Sequence, residues 1–230
     1  MLSASMLSII IPTLNAAHHL PKTLSALVPG AIDGLVKELL VVDGGSDDDT
    51  IAIADATGAR IITTQKGRGQ QLLTGGQAAK SDWLLFLHAD TVLADGWTQE
   101  VDKFIKGNNG QKAGVFRFGL DDRRKRARIL EMIVRLRCKL IALPYGDQGL
   151  LISRALYNEI GGFKPLVLME DVDIIGRIGR ARLHYFYSRA ITSAERYKRD
   201  GYMARMARNA RCLTLWFAGV APEKILRKYQ

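Results

Sequence analysis

Leu39-Leu40-Val41-Val42-Asp43-Gly44-Gly45-Ser46 and Trp83-Leu84-Leu85-Phe86-Leu87-His88-Ala89-Asp90-Thr91 decide the fold. Each is a short apolar run that ends in an acidic turn. Runs of four to eight apolar residues bounded by turn residues read as strands buried on both faces. Such strands build α/β sheets, and ligands lie beyond their C-terminal ends. Both runs therefore aim an aspartate at a ligand crevice. A third acidic cluster, Glu170-Asp171-Val172-Asp173, occurs later in a different local setting.

Working outward, Leu7-Ser8-Ile9-Ile10-Ile11 is a β-branched strand closed by Pro12, with Thr13-Leu14-Asn15 as the turn after it. A helix is predicted over residues 18–29, with Pro21 in its first turn. Acids at 47–49 favour a helix N-terminus running to about residue 57. A strand at 59–63, a Lys66-Gly67-Arg68-Gly69 loop and a helix at 70–79 lead into the strand at 83–87. This alternation predicts an α/β fold with a mostly parallel central sheet flanked by helices. Further on, helices are predicted at 98–106 and 123–142, from about 171, and at 154–160, 201–217 and 222–229. Strands are predicted at 113–118, 148–152 and 184–187. The division that results is one domain, with residues 1–97 as a nucleotide-binding half and 98–230 as an acceptor-binding half with basic C-terminal helices.

The 230 residues suffice for one substantial core, and 47% apolar with 24% charged residues excludes disorder. Cys138 and Cys212 form no metal-ligand spacing and no disulfide framework, which points to a reducing, cytoplasmic setting. The start of the chain is too short and uncharged to read as a signal peptide, and no apolar stretch reaches the length of a membrane span. The net charge of +10 is the unusual bulk property. It suits nucleic acid, a membrane surface or a phosphorylated substrate. No RNP1 or zinc-finger pattern accompanies it, so nucleic acid is not expected as a partner.

The ordered set Ser8-Ile9-Ile10-Ile11-Pro12-Thr13-Leu14-Asn15, Val41-Val42-Asp43-Gly44-Gly45-Ser46 with Asp49-Thr50, Leu85-Phe86-Leu87-His88-Ala89-Asp90, Gly161-Gly162-Phe163 and Glu170-Asp171-Val172-Asp173 resembles the GT-A-type, family 2 glycosyltransferases. The loop at 66–71 and the Leu87-His88-Ala89-Asp90-Thr91 form are similar to a bacterial subgroup found near radical-SAM genes. The resemblance implies a GT-A fold and an inverting transfer of a sugar from a UDP- or GDP-linked donor to a hydroxyl acceptor.

On that resemblance Asp43 contacts the nucleoside, since an ionised carboxylate accepts from a base N–H or a ribose hydroxyl. An Asx turn between strand and helix is the alternative. Pro12, Thr13 and Asn15 would line the same base pocket, or simply make the turn. Asp90 matches the last acid of the family's DxD motif and would hold Mn²⁺ or Mg²⁺ on the donor diphosphate. His88 replaces the first acid. A neutral imidazole suits Mn²⁺ better than Mg²⁺, and it can instead donate to a ribose or phosphate oxygen. Lys66 and Arg68 flank glycines before a helix N-terminus, a setting that favours phosphate, although a turn with two solvated cations looks the same.

Asp171 matches the family's catalytic base, which takes the acceptor proton as the nucleotide leaves, with Glu170 beside it. Both can also be first-turn helix acids. Asp147 and Gln148 lie where the family lines its acceptor side. Arg196 is placed to pair with the diphosphate, where many relatives put a later metal ligand. Two basic segments remain. Arg124, Arg128, Arg135 and Lys139 share one face of a helix whose other face carries Ile129, Met132, Ile133, Leu136 and Leu140. Arg205, Arg208 and Arg211 follow at three-residue spacing. Both read as solvated faces, as a dock for a phosphorylated or lipid-linked acceptor, or as peripheral contact with an anionic membrane at its inner face. A nucleotidyltransferase is the competing enzyme, although its glycine-rich loop after the first strand is missing. A non-enzymatic basic module would explain the charge but not the acids at strand ends.

Overall fold

The computed structural model describes residues 6–229. Residues 1–5, where the signal-peptide reading was made, and residue 230 lie outside the described residues. The chain order is β1 (Leu7–Thr13), α1 (Leu20–Ile32), β2 (Val36–Asp43), α2 (Thr50–Ala56), β3 (Arg60–Thr63), α3 (Arg68–Ala78), β4 (Trp83–Phe86), β5 (Thr91–Leu93), α4 (Trp97–Gly107), β6 (Ala113–Leu120) and α5 (Lys125–Ile141). It continues with β7 (Leu150–Ser153), α6 (Arg154–Glu159), α7 (Glu170–Ile178), β8 (Leu183–Thr192), α8 (Glu195–Asp200), α9 (Tyr202–Phe217) and α10 (Pro222–Tyr229).

All of these strands join one sheet in the order β3-β2-β1-β4-β7-β6-β8-β5. Every residue of β1, β4 and β7 is buried, in keeping with their mostly apolar sequences. The first half is parallel throughout: β1 pairs with β2 and β4, and β2 with β3. The second half is mixed, with β7 antiparallel to both β4 and β6, and β5 antiparallel to β8. The sheet is therefore less parallel than the strand–helix alternation predicts. The three-residue β5 is too short to register as a strand, and α8, Glu195–Asp200, is almost wholly charged and shows no apolar stripe.

Helices cover both faces. On one side α1 turns Leu20, Leu24 and Leu27 inward and Trp97 of α4 is buried among them, its indole N–H donating to Ala26 O at 3.0 Å. On the other side α3 lies close on β1 and β2. A Cβ at Gly75 would stand 2.3 Å from Ile10 Cγ2, so a larger residue would lift the helix off the sheet. A third cluster joins Ala127, Leu130, Val134 and Cys138 of α5 to Phe118, Leu120, Ala194 and Tyr202. Among the described residues no helix is long and apolar enough to cross a membrane.

Candidate active site

Asp43 and Thr13 end adjacent strands in register. Thr13 Oγ1 donates to Asp43 Oδ1 at 2.9 Å and Ser46 Oγ to the same oxygen at 2.5 Å. The amides of Gly45 and Ser46 donate to Oδ2 at 2.9 and 2.7 Å. Burial opposes ionisation here, but these donors outweigh it and hold the carboxyl below its usual range. Asp43 is fully buried and its acceptor sites are taken. With these bonds the Asp43 carboxylate forms an Asx-type clamp on the turn after β2. Pro12 and Thr13 are buried beside it. Asn15 is exposed; its Oδ1 accepts from Asp47 N at 3.0 Å and its own amide donates to Ser46 Oγ at 2.9 Å.

Beyond β4 the chain turns at His88, whose carbonyl accepts from Thr91 N at 3.2 Å. Pairing of β5 with β8 then sets Thr91 across from Thr192 and Val92 across from Ile191. That register brings Thr192 Oγ1 to 3.4 Å from Asp90 Oδ1. The amide of Ser193 donates to Asp90 O at 3.1 Å. Asp90 is thereby fixed at the mouth of the sheet.

The first turn of α7 faces it. Asp171 Oδ2 accepts from Gly146 N at 2.9 Å and Oδ1 from Val172 N at 2.8 Å. A Cβ at Gly146 would come 2.7 Å from His88 Nε2, so only glycine lets the 146–148 turn close on both His88 and Asp171. Glu170, beside Asp171, is 1% exposed and ion-paired with Arg68. Glu170 holds the Arg68 guanidinium charged well above its usual range, while burial pushes the Glu170 carboxyl up against the pull of Arg68. Through this pair Glu170 positions Arg68.

One pocket of about 150 Å³ collects Arg68, His88, Asp90, Tyr145, Asp147 and Asp171 with Arg196 from α8. Burial pushes the His88 imidazole down to about 4, with Arg68 adding to the effect and Asp90 and Asp171 opposing it. His88 is neutral at pH 7. Burial raises the Asp147 carboxyl to about 6, and Asp147 Oδ1 is buried without a hydrogen-bond partner among the described residues. Arg196 has no ion-pair partner among the described residues.

Besides Pro12, Thr13, Asn15, Asp43 and Glu170, the sequence candidates Lys66 and Gln148 lie outside this pocket. Lys66 is exposed and does not line it. Gln148 is 2% exposed; its Nε2 donates to Phe116 O at 2.9 Å and its Oε1 accepts from Cys138 Sγ at 3.3 Å. Its side chain is thus engaged inside the fold. Asp173 is taken by Arg177 and Lys164. Arg205 was read as part of a basic face, yet it lines the pocket, pairs with Asp200 at 3.0 Å and stacks on Tyr197. Tyr197 and Thr192 also line it, and no local pattern singled them out.

The sequence profile of glycosyl transferase family 2 matches residues 8–165. The chain belongs to that family. Over 95 residues it is 32% identical to glucosyl-3-phosphoglycerate synthase of Mycobacterium tuberculosis, covering 37% of this chain and 29% of that protein. Over 104 residues it is 39% identical to a PGL/p-HBAD biosynthesis glycosyltransferase of Mycobacterium bovis, covering 42% of this chain and 40% of that protein. The matched region spans less than half the length of these curated relatives. The crystal structure of the M. tuberculosis synthase with phosphoglyceric acid superposes with a TM-score of 0.66 at 22% identity, covering 94% of this chain and 80% of that one. The same synthase with Mn²⁺, UDP and glucosyl-3-phosphoglycerate gives 0.60 at 22% identity, covering 82% and 70%. These likenesses show the GT-A fold. Family membership favours a glycosyltransferase over the nucleotidyltransferase and the basic module. Nothing in the comparisons bears out the radical-SAM gene association.

A divalent cation suits the donor set in part. Asp90, Asp147 and Asp171 offer hard oxygen atoms, and Asp147 Oδ1 is an orphaned acceptor. Among the described residues no group of three or more His, Cys, Asp or Glu is placed to hold a metal alone. A cation here needs diphosphate oxygens to complete its shell, as Mg²⁺ commonly does.

Proposed function

We propose that the chain transfers a sugar from a nucleoside diphosphate donor, UDP-linked, to a hydroxyl on a phosphorylated or lipid-linked acceptor, with inversion. The observation that carries this reading is the shared pocket in which Asp90, Asp147 and Asp171 face Arg68 and Arg196. The carboxylates supply a base and a cation ligand, and the guanidinium groups offset diphosphate charge.

Residues 1–97 take the donor in this reading and residues 98–230 the acceptor. The nucleoside lies over the ends of β1 and β2, where Asn15 and the 45–48 turn are exposed and Asp43 keeps that turn in shape. Arg68 and Arg196 hold the diphosphate. Asp90, with the neutral His88 beside it, would hold Mn²⁺ or Mg²⁺, which would offset charge on the departing diphosphate. The support for UDP and for these ions is that the M. tuberculosis synthase has been crystallised with UDP and either Mn²⁺ or Mg²⁺. Asp171 Oδ2 takes the acceptor hydroxyl proton, and Asp147 contacts the acceptor next to it. The same synthase has been crystallised with phosphoglyceric acid and with glycerol 3-phosphate, which supports a phosphorylated acceptor.

Calorimetry of UDP, GDP and their sugars with and without Mn²⁺ tests the donor assignment. Metal-dependent binding of one nucleotide supports it, and no nucleotide binding under either condition refutes it.

A further inference from the structure

The helical wheel of α5 presents two apolar stripes on opposite faces. Ala127, Leu130, Val134 and Cys138 form the inner one, packed in the third core cluster. Ile129, Met132, Ile133, Leu136 and Leu140 form the outer one, and all are exposed; Met132 is 56% and Leu140 66% open to solvent. The sequence alone would bury the stripe with the larger residues. The fold buries the other one and leaves the larger stripe uncovered.

At 100° per residue, Arg128, Arg135 and Lys139 flank the outer stripe on one side and Arg126 on the other. Glu131 is the only acid in α5, and it is engaged by Arg128 at 2.6 Å and Arg189 at 2.5 Å. Arg126, Arg135 and Lys139 have no ion-pair partner among the described residues. Beside this flank runs a groove of about 770 Å³, lined by Arg117, Arg128, Arg135, Lys139, Arg180 and Arg189 against the single carboxylate of Glu131.

We infer that the outer face of α5 docks on an anionic lipid bilayer, with the apolar stripe in the headgroup boundary and the cationic groove on lipid phosphates. An apolar stripe edged by cations is the pattern of a helix lying in the interface plane. Charge selects this occupant over a second copy of the chain, because two such faces would bring unpaired cations together with no acid to meet them.

The surface is joined to the pocket. Arg137 of α5 stacks 3.4 Å above the Tyr145 ring, and residues 142–146 run from the helix end to Asp147. Docking α5 therefore sets the acceptor wall of the pocket beside the bilayer, so the acceptor is a membrane lipid carrying a hydroxyl. This last step rests on the proposed transferase function; the docking itself does not.

Sedimentation with vesicles of equal phosphatidylglycerol and phosphatidylcholine, and with phosphatidylcholine alone, tests it. The wild-type chain should bind only the anionic vesicles, and less as salt rises. Neutralising two cations in Arg135→Gln/Lys139→Gln should lower the partition coefficient about thirtyfold. Leu136→Glu should abolish binding, and the double variant carries the test if Leu136→Glu fails to fold. No binding of wild type to anionic vesicles overturns the inference, as does wild-type-like binding by both variants. A wild-type dimer that Leu136→Glu converts to monomer also overturns it, in favour of a second copy on this face. UDP calorimetry on the same variants separates the two readings: retained nucleotide binding with lost vesicle binding confirms docking, and absent UDP binding in wild type faults the donor assignment alone.

Discussion

Replacing Asp43 by Asn and by Ala should have clearly different effects, because its four accepted bonds are of two kinds. The amides of Gly45 and Ser46 can only donate, whereas the hydroxyls of Thr13 and Ser46 can turn to accept. In Asp43→Asn the amide oxygen keeps the two N–H bonds and the NH₂ meets the reoriented hydroxyls. Only charge assistance is lost, which costs about 1–2 kcal/mol. Asp43→Ala removes all four, and water reaches part of the turn, so the cost is about 3–4 kcal/mol. At about 3 °C per kcal/mol for a chain of this size, the Tm should fall by roughly 4 °C and 10 °C. Because the carboxyl sits below its usual value of 3.8, its stabilisation is present above that pH and lost as pH falls below it. Calorimetric melts at pH 7 and pH 3 measure both effects. Equal losses in the two variants, or an unchanged Tm in Asp43→Asn with abolished nucleotide binding, would refute the clamp assignment.

Asp171→Asn should keep UDP binding and lower turnover by about 10²–10⁴, the usual share of a general base; unchanged turnover in a transfer assay rules that role out. Glu170→Gln should cost about 1–3 kcal/mol in chemical denaturation, less than a fully buried pair because Arg68 is partly exposed. His88 and Asp147 should impose opposite pH slopes on stability in metal-free protein. His88, held down at about 4, makes stability rise with pH between about 4 and 6.5. Asp147, raised to about 6, makes it fall between about 4 and 6. His88→Gln should therefore expose the falling slope and Asp147→Asn the rising one, as read from melts across pH; parallel profiles in both variants would contradict the burial of these groups.

Legibility followed the kind of signal each residue carries. Asp90 and Asp171 were readable because each ends or begins an element whose periodicity is strong. Asp43 was located by the same logic, yet its role was not, since a strand-end carboxylate that meets a ligand and one that clamps a turn share the same sequence. The surroundings of Gln148 and Glu170 were not legible for a related reason: whether a polar side chain faces a pocket or the core depends on partners distant in sequence, Phe116 and Arg68. Arg205 looked like one of three surface arginines, and only the packing of α8 against α9 turns it toward Tyr197 and Asp200.

The amino-acid sequence by itself determined the strand ends, the parallel first half of the sheet and the family, because these rest on local apolar runs and short motifs. The tertiary structure decided which stripe of α5 is buried. Either stripe satisfies the helical period, and the choice falls to the shape of the neighbouring surface, where Phe118, Leu120 and Tyr202 receive the small residues Ala127, Val134 and Cys138. The structure also decided that Asp90, Asp147, Asp171, Arg68 and Arg196 share one pocket, since strand order and the closure of α8 bring together groups that lie far apart along the chain.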